Sequence, residues 1–471
     1  MNRTFACLIL TVGACSTAAA AAEPKSLIIH EWGTFTSFQD ERGLTISGIN
    51  VDDEPVPEFV HRLKDIPILT TRSAPASWSK GAPRCHPDVT LRLETPVLYF
   101  YPQPGFAADQ SIDVRATLSG GWLTEFFPQA DAEYSGFPRA LERSTRSSLL
   151  WAKLRLTSQP AIALPETAEH VWLAPRKVRS AVVLNGAKQE AEKYLFYRGV
   201  GHMDAPIVVR QQDDTLTVSV RDDEKHLPSL PPAWIVHRLV DGRIAYRSVA
   251  ASQQRSVAVS LPVAGEAVPS RLDALKREIK AALLAQGLYE DEADAMLATW
   301  QLSYFESDGL RVFFVLPRAW TEAHLPLWTS VPADTTRVML GRVELVSPQQ
   351  HAALRSLYEL PASEIDFTPL YHEDQSVLKH VHDGTASHAD LYRKVGREVP
   401  AALKLYESLG RFRDALLAHE ARSTSDAAKR ARLELIIQKF SACDPNLAGV
   451  PVTVQPARRA GATPPASTAP W

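Results

Sequence analysis

Cysteine is scarce in this chain, with four among 471 residues. Two of them, Cys7 and Cys15, fall in the first apolar stretch. No pair stands in a Cys-x-x-Cys or Cys-x-x-Cys-His spacing, which disfavours zinc ribbons, thioredoxin-like redox motifs and c-type haem attachment. Charge of one sign is also lacking. The net charge is -3 and no basic patch stands out, which argues against nucleic-acid binding. There is no Gly-x-Ser-x-Gly elbow to support an α/β-hydrolase and no Gly-x-x-x-x-Gly-Lys-Ser/Thr phosphate loop. His-Glu pairs begin at His30, His372 and His419, but none has a second histidine four residues after the first. The helix-borne zinc-protease motif therefore fails each time. Outside the leader no stretch approaches the 18 apolar residues of a spanning helix, and no fixed-period repeat is visible.

The first residues carry an export pattern. Arg3 supplies a positive start, and Phe5 to Ala14 is an apolar core too short to span a bilayer. Two processing readings stand side by side. Cleavage after Ala20-Ala21-Ala22 would leave Glu23 at the new terminus. Alternatively, Val12-Gly13-Ala14-Cys15 loosely matches a lipobox, and a lipid anchor on Cys15 would hold the protein at the membrane. The expectation is an exported protein: periplasmic, an outer-membrane lipoprotein, or secreted. There Cys85 and Cys443 are expected to pair, closing a loop of roughly 350 residues; two free buried thiols are the alternative.

Hydrophobic residues at 45% and charged residues at 22% describe an ordinary globular chain. Its length implies two to four domains. Thirty-four prolines suit short strands and ordered loops better than a helical bundle. The leader is read as residues 1–22, and a strand with long ordered loops as 23–88. A β-sandwich-like domain follows over 89–265, a mixed α/β segment over 266–361, a mainly helical segment over 362–445 and a disordered tail over 446–471. The class is α+β, with an antiparallel, sandwich-like N-terminal half.

Local signals support this division. Val89, Leu91 and Leu93 alternate with polar residues, as do Ile112, Val114, Ala116 and Leu118. Gly120-Gly121 then predicts a hairpin into Trp122–Phe127. Asp241-Gly242 between two apolar runs predicts a second hairpin, with a type I′ turn. Ser270 reads as an N-cap, Ser347-Pro348-Gln349-Gln350 as a capping box, and Pro400 to about Ala421 as one helix.

Two stretches could carry chemistry. Four of the fourteen histidines, His372, His380, His382 and His388, fall within seventeen residues, interleaved with Asp383 and other carboxylates. Imidazole and carboxylate are the usual ligands of a divalent ion such as zinc or copper. His380 and His382 would share a face only on an extended backbone. A polar loop of solvated histidines is the plainer alternative. The second stretch joins His30 and Glu31 to Asp52, Asp53 and His61. Such a mixture can hold an acid and a base with separated pKa values, or calcium through its oxygens. His30 also follows Leu27-Ile28-Ile29, which fits a satisfied core residue at a strand end. Gly199-Val200-Gly201 lacks the third glycine of a dinucleotide loop and reads as a tight backbone passage.

Two functional classes follow. The first is a non-catalytic envelope protein that binds a glycan, a peptide or a partner protein. It is favoured because no nucleophile motif exists and the strand pattern is that of a sandwich. The second is a secreted metal-assisted hydrolase or oxidase using the histidine and carboxylate clusters.

Overall fold

The computed structural model describes residues 26–51, 55–63, 78–158, 162–365 and 388–441. Its strands run β1 (Leu27–Gln39), β2 (His61–Arg62), β3 (Trp78–Ser79), β4 (Ala82–Pro83), β5 (Leu91–Pro102), β6 (Ser111–Ser119) and β7 (Gly121–Phe127). They continue with β8 (Asp131–Tyr134), β9 (Arg146–Thr157), β10 (Val182–Asn185), β11 (Glu190–Glu192), β12 (Leu195–Gly201), β13 (Ile207–Gln212) and β14 (Thr215–Val220). The last are β15 (Ala233–Arg238), β16 (Ile244–Val249), β17 (Ser256–Ser260), β18 (Gly309–Val315), β19 (Leu327–Thr329) and β20 (Asp334–Leu345). The helices are α1 (His170–Leu173), α2 (Arg271–Ala285), α3 (Glu290–Thr299), α4 (Arg318–His324), α5 (Pro348–Glu359) and α6 (Ala362–Ile365). After the gap come α7 (His388–Lys394), α8 (Ala401–Ser408), α9 (Arg413–Ser423) and α10 (Ala427–Phe440).

The class is α+β, with large antiparallel sheets and a helical C-terminal segment. A nine-stranded sheet has the order β16-β15-β18-β20-β1-β5-β12-β7-β2, and a six-stranded sheet the order β11-β10-β9-β6-β19 with β8 beside β9. Their inner faces share one core: Leu27, Ile29, Phe100 and Leu195 from the first meet Val114, Leu149, Trp151 and Val183 from the second. On the other side of the larger sheet, Leu275, Ile279 and Leu283 of α2 and Met296 of α3 cover Trp32, Tyr99 and Phe313. Beyond them, α5 and α8–α10 bury Leu354, Leu403, Leu416 and Ile436 against Phe38, Trp122 and Val200. The strand β1 is therefore hydrophobic on both faces, as a central strand must be. It pairs parallel to β20 and antiparallel to β5.

Several local expectations change form. Gly120-Gly121 does not close a hairpin: β6 belongs to the six-stranded sheet and β7 to the nine-stranded one. Gly120, at φ +89°, carries the chain from one layer to the other, its N–H bonded to Thr145 O. The hairpin of β15 and β16 is present, but its turn spans Leu239 to Gly242, with Gly242 N–H bonded to Leu239 O and Leu239 N–H to Arg243 O. With Gly242 at φ +84°, this is a three-residue loop with a glycine bulge, the alternative to the two-residue turn. Ser270 does not cap α2 with its side chain. The Ser347–Gln350 box forms in both directions, at 3.2 and 2.8 Å. Residues 400–421 form two helices, α8 and α9, broken where Gly410 takes φ +80°.

Candidate functional site

His30 and Glu31 separate because alternate residues of a strand face opposite sides of the sheet. His30 points to the helical side. Its Nδ1 donates to Glu292 Oε2 at 2.8 Å, and both side chains are almost fully buried. The same carboxylate accepts Tyr101 Oη–H at 2.6 Å and the backbone N–H of Tyr289 at 2.7 Å. Burial and the Glu292 charge push the Tyr101 phenol far above its ordinary value. Tyr101 and Tyr289 pack against the His30 ring, with centroids 5.2 and 4.5 Å away. The cluster fastens the start of α3 to β1.

Glu31 points the other way, into the core between the sheets. Arg337, directly opposite on β20, donates from Nε to Oε2 at 2.6 Å, and its Nη2 stands 2.6 Å from the same oxygen in an ion pair. Tyr197 Oη–H donates to Oε1. Both oxygens are occupied and the residue has no solvent exposure. His61 lies elsewhere, on edge strand β2, with Nε2 2.6 Å from Glu190 Oε1. The structure thus does not bring His30, Glu31 and His61 together. Asp52 and Asp53 lie outside the described residues, as do His372, His380, His382, Asp383 and Cys443. His388 opens α7, and its side chain is also outside them. Among the described residues no group of three or more His, Cys, Asp or Glu side chains could hold a metal. Cys85 is disulfide-bonded.

Sequence reasoning did not detect a second, longer polar feature. On the helical side a polar row crosses seven adjacent strands of the larger sheet, with charged residues on six of them and Thr34 and Thr36 on β1. Register places Arg311 opposite Glu344, Thr36 opposite both Arg342 and Arg92, Thr34 opposite Glu94, Arg198 opposite Glu125 and Glu125 opposite Arg62. Arg92 and Lys80 reach Glu94 at 3.0 and 2.8 Å, and Arg311 reaches Glu344 at 3.2 Å. Burial by itself would raise the Glu125 carboxyl, but Arg198 and Arg62 outweigh it and hold it below the ordinary range. Arg311 and Arg342 do the same for Glu344 against the same opposing burial. Most of these side chains are buried, so the row sets strand register rather than meeting solvent. Gly199 belongs to this passage and lies within a strand rather than a turn. A Cβ there would stand 2.1 Å from Trp122 O, and the close approach of β7 and β12 requires glycine.

The arrangement that does face outward lies on the six-stranded sheet. Trp328 of β19 is 51% exposed. Opposite it on β6 is Arg115, whose guanidinium carbon lies 5.9 Å from the indole centroid. The row continues across the strands to Leu150 and Asp131. Arg115 is exposed and has no carboxylate partner among the described residues. β19 has β6 on one side and, among the described residues, no strand on the other. Thr117 N–H bonds to Pro326 O at 3.0 Å and Ser330 N–H to Asp113 O at 2.9 Å. By the alternation of an antiparallel ladder, the N–H and C=O groups of Leu327 and Thr329 then point away from the sheet. A three-residue strand is too short for a periodicity to register. Pro326 and Pro332 on either side are its one sequence signal, since proline confines strands to edges.

No known family matches the sequence, and no curated protein matches it either. Among solved structures, the chain is similar to the Fcho1 Mu homology domain of Danio rerio with a bound Eps15 peptide. That likeness has 8% identity and a TM-score of 0.23, and covers 69% of this chain and 96% of that one. It is similar also to the yeast delta-COP-I mu-homology domain, at 8% identity and TM-score 0.23, over 69% of this chain and 97% of that one. The same yeast domain complexed with a Dsl1 WxWxV peptide gives 9% identity and TM-score 0.23, over 69% and 98%. Likeness at that TM-score carries no inference about this chain.

Proposed function

We propose that this is an exported, non-catalytic envelope protein that binds a partner protein or peptide through the outer face of its six-stranded sheet. The observation that carries the reading is Trp328, half exposed, beside Arg115, a guanidinium without a carboxylate partner among the described residues. Tryptophan and arginine are the residues most enriched at the energetic centres of protein interfaces. Leu150 beside them is partly exposed, and Asp131 and Glu133 form a polar margin. The described candidates for catalysis support the same reading: Glu31, His30 and His61 are each committed to a structural partner. The leader at Arg3 to Ala14 and the disulfide at Cys85 support an oxidising, exported location.

The test is selection of a random twelve-residue peptide display library on the full chain, with counter-selection on a Trp328→Ala, Arg115→Ala variant. Enriched peptides that bind the parent and lose at least tenfold on the variant are expected. No enrichment, or equal binding to both proteins, would sink the reading.

A further inference from the structure

We infer that the ligand of this face is an extended acidic peptide segment that adds as a strand to the free edge of β19. The inference rests on the binding reading above and names the ligand's chemistry. Two independent observations carry it. The first is backbone geometry: Leu327 and Thr329 each turn one N–H and one C=O away from β6, toward a side with no neighbouring strand among the described residues. Such groups are met by water or by another strand, and an extended peptide supplies the matching donors and acceptors. Proline on both sides limits the pairing to about three residues, which suits a short segment and discourages sheet-to-sheet association.

The second is charge. A residue placed opposite Trp328 on an added strand projects to the same face as Trp328 and Arg115, because cross-strand pairs share a face. The Arg115 guanidinium carbon lies 5.9 Å from the centroid of that indole, on the same face. That guanidinium has no hydrogen bond or ion pair among the described residues, and a glutamate or aspartate there would complete it. The peptide's flanking residues would rest against Leu327 and Thr329, which favours β-branched side chains. A second copy of this chain fits less well, because pairing two β19 edges would bring two Arg115 cations to one face.

The experiment uses the full chain and three synthetic peptides, acetyl-Thr-Val-Glu-Val-Thr-amide and its Gln and Lys counterparts. Binding is read by Trp328 fluorescence and by amide chemical shifts at Leu327 and Thr329. The glutamate peptide is expected to bind about tenfold more tightly than the glutamine one, and the lysine one more weakly still. The advantage of glutamate should vanish in Arg115→Gln, and N-methylation of the peptide backbone should abolish binding. Equal binding of all three peptides, insensitivity to N-methylation, or no binding overturns the inference. A dimer in sedimentation that Trp328→Ala dissociates also overturns it, in favour of self-association. Failure of the two proposals is distinguishable: display-selected peptides that need Trp328 but are neutral, or tolerate N-methylation, leave the binding face intact and remove only the acidic strand.

Discussion

Glu31 and Arg337 stand directly opposite each other on adjacent parallel strands, and the guanidinium meets the carboxylate at 2.6 Å inside the apolar core. The two residues are 306 positions apart in the chain. Tyr197 closes the other carboxylate oxygen, and Arg337 also donates to Leu325 O at 2.6 Å. The Glu31→Leu variant should lose about 3–5 kcal/mol, because an uncompensated guanidinium stays buried. Replacing the group together, as Glu31→Leu, Arg337→Met and Tyr197→Phe, should cost less than the single change. Urea denaturation midpoints decide this; a triple variant worse than the single one would count against it.

Asp40 predicts an acid-dependent loss of stability. Burial opposes its ionisation, but hydrogen bonds from His419, the Leu44 backbone and Arg42 prevail and lower its pKa from 3.8 to about 2. A carboxylate held low in the fold contributes stability above its unfolded value of 3.8, and the contribution fades as pH falls toward about 2. Asp40→Asn should therefore lose about 1–2 kcal/mol at pH 7 and almost nothing at pH 2 relative to the parent, discounting for partial solvent screening. Thermal unfolding across that range is the measurement, and a pH-independent difference would refute it.

The layer change at Gly120 predicts a backbone effect. At φ +89°, a Cβ there would also lie 2.9 Å from Met203 Cε. Gly120→Ala should destabilise by about 1–3 kcal/mol. Removing the methionine side chain as well, with Met203→Ala, should restore only the steric share. Complete rescue would show that backbone strain contributes nothing.

His30 predicts a structural rather than catalytic phenotype. His30→Phe keeps the ring but removes the donor to Glu292, leaving that buried carboxylate with the Tyr101 and Tyr289 donors alone. The expected loss is about 1–3 kcal/mol, with peptide binding at Trp328 unchanged once folded. Hydrogen exchange should quicken first in α3. Unchanged exchange there would mean the contact does not fasten the helix.

The sequence revealed what is encoded locally. The alternation of Leu91 and Leu93 with polar residues and the Ser347–Gln350 box each depend on a few neighbours, and both appear in the fold, although the strand begins at Leu91 and leaves Val89 outside it. Whether Glu31 served chemistry or packing depended on which face it took and on Arg337, far along the chain. No local pattern carries that information. The same holds for Gly120-Gly121, where two glycines signal a turn but not whether the next strand pairs with the last or joins another layer. The edge strand at Leu327–Thr329 escaped because three residues are fewer than any period needs.

The parallel pairing of β1 with β20 also sets a schedule. The first strand of the core waits for a partner at Asp334–Leu345. Bringing ends about 300 residues apart together costs roughly 5 kcal/mol of chain entropy before any contact repays it. Synthesis at roughly 5–20 residues per second leaves β1 half-covered for about 15 seconds to a minute. Through that interval Leu27-Ile28-Ile29 is a sticky, unfinished edge. Holding the chain unfolded until it is complete, as passage through a membrane pore requires, would spare it that exposure.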